Sequence, residues 1–128
     1  MKAFVAASVV LLALSLTSGC QHRADEADVT VELTDEPSPP TVGKARLTLD
    51  VRDAAGKPVE GATLKLEGNM SHAGMRPVFA DAREVKPGRY EADLSWTMAG
   101  DWFVLVSGKL ADGRTVSKKI DVKGVKAD

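Results

Sequence analysis

The sequence predicts an all-β protein, an immunoglobulin-like β-sandwich of about seven strands that follows an N-terminal signal segment. Three observations support this prediction. From Val29 onward, short runs of alternating apolar and polar residues recur at nearly regular intervals. Gly, Pro, Asn and Asp residues separate these runs, and no stretch carries a sustained helical period. About seven short strands with frequent turns are typical of two packed antiparallel sheets.

The first three predicted strands alternate between a face for the core and a face for water. They are expected near Val29 to Leu33, over Ala45 to Arg52 and over Ala62 to Glu67. In the second strand every other residue is apolar, which is the pattern of a sheet that is buried on one side. The intervening segment Asp53 to Gly61 contains Gly and Pro and predicts a turn.

Four further strands complete the predicted sandwich. They are expected around Val78 to Glu84, Tyr90 to Trp96, Trp102 to Val106 and Val116 to Val122. The run that begins at Trp102 is continuously apolar, which predicts a central strand. Asp112 and Gly113 are typical of a hairpin turn. Both tryptophans lie in periodic strands, so we expect them to pack in the core.

The N-terminal residues predict a lipoprotein signal peptide over residues 1–19. Lys2 precedes an uncharged run from Ala3 to Leu16, and the small residues Ser18 and Gly19 lead to Cys20. The run is shorter than the roughly 20 residues that a membrane-spanning helix needs. The residues around Cys20 resemble the bacterial lipobox, which implies diacylation of this cysteine. The alternative is an ordinary secretory signal with an incidental cysteine.

Lipidation of Cys20 would divide the chain into an anchor and one small domain. Residues 20–28 are polar and charged and are expected to form a lipidated tether, with His22 exposed to solvent within it. Residues 29–128 would form the sandwich. This arrangement predicts a location in the cell envelope, on the periplasmic side of a membrane. Gln21 after the cysteine favours the outer over the inner membrane of a Gram-negative cell.

The composition excludes several classes of function. The chain has 17 basic and 18 acidic residues, a balance that does not favour binding to nucleic acid. Cys20 is the only cysteine, so an acylated chain has no intramolecular disulfide, no multi-cysteine zinc site and no cysteine nucleophile. Any site for a soft metal would have to use methionine and histidine.

The segment between the third and fourth predicted strands is the best candidate for chemistry. Met70, His72 and Met75 carry thioether and imidazole donors, which suit Cu(I) when no thiolate is available. Gly74 would allow the loop to fold back so that these donors converge. Met98 precedes another turn and is an optional fourth ligand. The alternative is that the methionines cap the core and His72 is merely exposed.

Three segments resemble the YtkA-like domain family, which is related to proteins of the FixH type. They are the loop from Met70 to Met75, the strand entry Pro87 to Tyr90, and the turn from Met98 to Trp102. Over about Val42 to Val122 the resemblance implies an immunoglobulin-like fold, an envelope location and a role in copper handling or in the assembly of copper-dependent oxidases. It also implies that Met70, His72, Met75 and Met98 are the metal ligands.

We therefore expect a monomeric, membrane-anchored envelope lipoprotein that binds Cu(I) and passes it to a copper-accepting envelope protein. The alternative is a metal-free module that recruits an envelope protein through a sheet edge or a loop face. An enzyme is not expected. Ser71 beside His72 in the sequence does not make a catalytic triad, and the carboxylates of Glu91 and Asp93 fall on a solvent face.

Overall fold

The computed structural model describes residues 26–72 and 74–127; Cys20, His22 and the predicted signal peptide lie outside the described residues. Within these ranges the chain forms eight β-strands and no helix, so the predicted all-β class is confirmed. The strands are β1 (Val29–Glu36), β2 (Gly43–Asp53), β3 (Thr63–Asn69), β4 (Val78–Asp81), β5 (Arg83–Lys86), β6 (Arg89–Trp96), β7 (Gly100–Lys109) and β8 (Thr115–Val125).

The strands form two four-stranded antiparallel sheets. One sheet has the order β1-β2-β6-β5 and the other has the order β4-β3-β7-β8. In chain order this is the arrangement of an immunoglobulin constant domain, with β4 added at the edge beside β3. The structure therefore confirms an immunoglobulin-like sandwich.

The core lies between the sheets and uses the faces that the alternation predicts. In β2, every second residue from Ala45 to Val51 is at most 5% exposed. Trp96 and Trp102 are 1% and 2% exposed, and their ring centroids lie 5.1 Å apart with planes tilted by 57°. The prediction that both tryptophans pack in the core is confirmed.

The single strand predicted over Val78 to Glu84 is wrong. The chain leaves one sheet after β4 and joins the other as β5, and the Ala82 amide between them donates a hydrogen bond to the Leu64 carbonyl at 3.0 Å. This exchange of sheets raises the count from seven strands to eight. The period-two pattern of the sequence runs through the segment, so it carries no local sign of the change of partner.

Strand β7 lies between β3 and β8, as the prediction of a central strand requires. Its apolar run does not, however, reflect burial on both faces. Trp102, Val104 and Val106 are buried, whereas Phe103 and Leu105 alternate with them and are only half-buried. The Lys119 ammonium lies 4.6 Å from the centroid of the Phe103 ring, so a cation–π contact covers part of the outward face.

Glu26 and Ala27, which the sequence analysis assigns to the tether, contact the sandwich. The Ala27 amide donates to the Thr115 carbonyl at 2.8 Å, and Ala27 is 3% exposed. Glu26 forms an isolated parallel bridge with Thr115. The described part of the predicted tether is therefore attached to the start of β8. The described residues contain no helix long and apolar enough to cross a membrane.

Candidate functional site

The two methionine-bearing connections lie at the same end of the sandwich. Strand β3 ends at Asn69, which pairs with Phe103 near the start of β7. Residues 70–72 and 74–77 follow β3 at this end, and the segment 97–99 leads into β7 there. We call this end, formed by residues 70–72 and 74–77 after β3 and residues 97–100 before β7, the methionine pole. The sequence left open whether Met98 approaches the other candidate ligands, and the topology brings its turn to their end of the molecule.

Met70 links the two segments directly. Its side chain is 6% exposed and belongs to the core. Gly100 has a φ of +128°, and a Cβ added there would lie 2.9 Å from the Met70 Cε. This distance is shorter than an ordinary van der Waals contact, so the Met70 methyl group occupies the space that the missing side chain leaves. Met70 therefore packs against the turn that carries Met98.

Met98 combines a fixed backbone with an accessible side chain. Its carbonyl accepts a hydrogen bond from the Trp102 Nε1–H at 2.9 Å, while its residue is 49% exposed. Trp102 in turn packs on Trp96 in the core. The position of the turn is thus tied to the most buried part of the sandwich, and the thioether extends from it toward solvent.

The other two candidate ligands differ in depth. Met75 is half-buried and packs against the core, and His72 is exposed. The four candidate residues therefore range from the buried Met70 through Met75 to the exposed His72 and Met98. In the described ranges no three His, Cys, Asp or Glu side chains form a group that could hold a metal ion. Methionine is not among those four residue types. Its thioether is the kind of donor that suits a soft cation, and the methionine pole contains three methionines.

A buried carboxylate lies close to the methionine pole, near the end of β1, and the sequence did not predict it. Asp35 is 9% exposed, and its Oδ2 accepts a hydrogen bond from the Trp96 Nε1–H at 2.9 Å. Its Oδ1 is buried without a hydrogen-bond partner among the described residues. Burial raises the pKa of Asp35, and the Trp96 hydrogen bond opposes this with a smaller effect. The residue occupies an inward position of β1, which the alternation of that strand could have revealed.

An open cleft of about 910 Å³ runs along the outside of the sandwich beside β4. On one wall the Arg46 Nε donates to the Asp93 Oδ1 at 3.0 Å, and this bond lowers the pKa of Asp93. On the other wall Phe79 is 70% exposed. The sequence did not reveal the cleft because its walls come from strands that are distant along the chain.

One comparison with known proteins identifies a family. The model of the YtkA-like family matches residues 23–107, which is more than half of the 128-residue chain. The match includes both segments of the methionine pole, and the resemblance seen in the sequence is therefore confirmed. No curated protein matches the chain.

Proposed function

The chain belongs to the YtkA-like family, and on that basis we propose that it is an envelope lipoprotein whose sandwich binds Cu(I) at the methionine pole. In this proposal Cys20 carries the lipid anchor and the folded domain lies on the periplasmic side of the membrane. The bound copper is held for handling or for delivery to an acceptor protein in the envelope.

The observation that carries this proposal is the contact between Met70 and Gly100. It shows that two connections separated along the chain share one end of the fold and that the buried thioether adjoins the Met98 turn. Three methionines and one histidine thus belong to a single pole. Two or three such soft donors suffice for Cu(I), which accepts low coordination numbers and sulfur ligands.

The depth of each side chain suggests a separate role. His72 and Met98 are exposed and would make first contact with an incoming ion, with Met75 as a half-buried sulfur ligand. Met70 would be the deepest ligand, and its involvement requires its buried thioether to turn from the core toward the loop. The flexible methionine side chain allows such adjustment at modest cost.

A competition titration tests the proposal. The protein is titrated with Cu(I) in the presence of a chromophoric Cu(I) chelator, and the wild type is compared with His72→Ala, Met75→Ala and the double variant. We expect each single substitution to weaken the apparent affinity about tenfold, which corresponds to about 1.4 kcal/mol of binding free energy. His22→Ala is the matched control, since it removes the only other histidine, and it should leave the affinity unchanged.

Competition by the wild type no stronger than that of the double variant would overturn the copper proposal. In that case the metal-free interaction module becomes the better reading, and the cleft beside β4 is its candidate surface. The large exposed aromatic side chain of Phe79 favours this site. Phe79→Ser should then abolish capture of an envelope partner, while the variants at the methionine pole should not.

A further inference from the structure

We call residues 20–25 of the predicted tether the lead. The residues that follow it, Glu26 and Ala27, join the sandwich at the end opposite the methionine pole. The Ala27 amide donates to the carbonyl of Thr115, the first residue of β8. Thr115 pairs with Lys109, the last residue of β7. We call this end, formed by residues 26–27 and the hairpin 110–114, the N-terminal pole. Gly100 begins β7 at the other end and contacts Met70 there.

The distance between the poles exceeds the reach of the lead. Strand β7 has 10 residues, and at about 3.3 Å per residue it separates the two poles by roughly 33 Å. Six residues run from Cys20 to Asp25, and even at full extension they would span only about 20 Å. The lead therefore cannot carry the Cys20 sulfur from the N-terminal pole to the methionine pole.

From this geometry we infer that the anchored protein displays its methionine pole away from the bilayer. The inference rests on the proposed lipidation and copper binding, and it specifies the partner. The copper acceptor is a protein domain in the aqueous part of the envelope that presents its own thioether, thiolate or imidazole ligands to the end of the sandwich.

The orientation can be measured without copper. The full chain is extracted in acylated form from bacterial membranes and reconstituted in phosphatidylcholine vesicles that contain a lipid with a quencher on its head group. Two variants each carry one new cysteine for a fluorescent probe. Ala99→Cys labels the methionine pole and Ala111→Cys labels the N-terminal pole, and both positions are exposed. Acylated Cys20 does not react with the probe.

We expect the probe at residue 111 to be quenched at least threefold more strongly than the probe at residue 99. A matched pair in which about 20 Gly and Ser residues are inserted after Cys20 should show a much smaller difference, because the longer lead frees the domain from its orientation. Equal quenching of the two probes without the insertion, or stronger quenching at residue 99, would overturn the inference.

The two proposals fail in different ways. If mass spectrometry finds no acyl group on Cys20, the proposed anchor and the inferred orientation of the domain are both overturned, whatever the result of the copper titration. A chain that shows the expected quenching but does not compete for Cu(I) keeps its orientation and loses the copper role. The pole directed away from the membrane would then serve as a protein-binding end.

Discussion

Asp35 shows how much a single residue can depend on its surroundings. A carboxylate on an inward position of a strand would be costly without partners, and among the described residues this one has a partner for only one oxygen. Because burial raises its pKa, the folded state favours the protonated form more than the unfolded chain does. Ionisation of Asp35 therefore opposes folding. The folded state is favoured most at low pH, where Asp35 is protonated.

Replacing Asp35 should alter the pH dependence of stability. As the pH rises from 3.8 through the raised pKa, the wild type should lose stability relative to Asp35→Asn, which cannot ionise but keeps an oxygen acceptor for Trp96. Urea unfolding followed by tryptophan fluorescence at several pH values measures this difference. Asp35→Leu is the contrasting variant, because it leaves the Trp96 N–H unpaired at a cost of about 1–3 kcal/mol. A difference between wild type and Asp35→Asn that is constant with pH would contradict the assignment.

Gly100 is the second residue whose role depends on a distant neighbour. Gly100→Ala should destabilise the fold by about 1–3 kcal/mol, because its φ is positive and its new Cβ would meet the Met70 methyl group. The double variant with Met70→Ala separates the two causes, since it removes the steric contact and leaves the backbone cost. Urea unfolding of all four proteins should therefore give a non-additive cycle. Strict additivity would show that the Met70 contact carries no energy.

At the scale of elements, one side chain fastens a long connection to the sheet. Tyr90 of β6 is fully buried, and burial raises its pKa. The hydroxyl donates to the Val59 carbonyl at 2.8 Å and accepts from the Ala62 amide at 3.0 Å. The connection between β2 and β3, residues 54–62, contains most of the turn predicted over Asp53 to Gly61 and is thereby held against β6.

Removing this hydroxyl should loosen the connection without changing the sandwich. We expect Tyr90→Phe to reduce the free energy of unfolding by about 1–2 kcal/mol, because a carbonyl and an amide lose their partner. Hydrogen exchange at the Ala62 amide should accelerate at the same time. The Leu49 amide in the neighbouring strand serves as the internal control. Unchanged protection of Ala62 would mean that the hydroxyl does not hold the segment.

The strands also show where prediction from sequence stops. Alternation identified the inward residues of β2 correctly because successive side chains on a strand point to opposite faces of the sheet. The break between β4 and β5 was not visible, since the same alternation continues while the chain exchanges one sheet for the other. The partner of a strand depends on long-range hydrogen bonds such as the one from Ala82 to Leu64.

At the scale of the whole molecule, copper binding should appear as added stability. A ligand that binds only the folded state at a free concentration of 100 times its Kd stabilises it by about 2.7 kcal/mol. Cu(I) under anaerobic conditions should therefore raise the Tm of the wild type by several degrees. Met75→Leu and Met98→Leu, which keep similar volume but lack sulfur, should show a much smaller rise. An equal rise in all three proteins would place the copper elsewhere.

The sequence by itself determined the all-β class, the faces of most strands and the burial of the tryptophans. It also determined which soft donors the chain contains. These features could be predicted because composition and period-two alternation are local properties. The tertiary structure decided what comes together: the exchange of sheets between β4 and β5, the contact of Met70 with the Met98 turn, and the burial of Asp35 beside Trp96. It also decided that residues 26 and 27 join the sandwich at the end opposite the methionine pole. These features depend on residues far apart in the chain, whose proximity follows from the packing of two sheets and has no local signature.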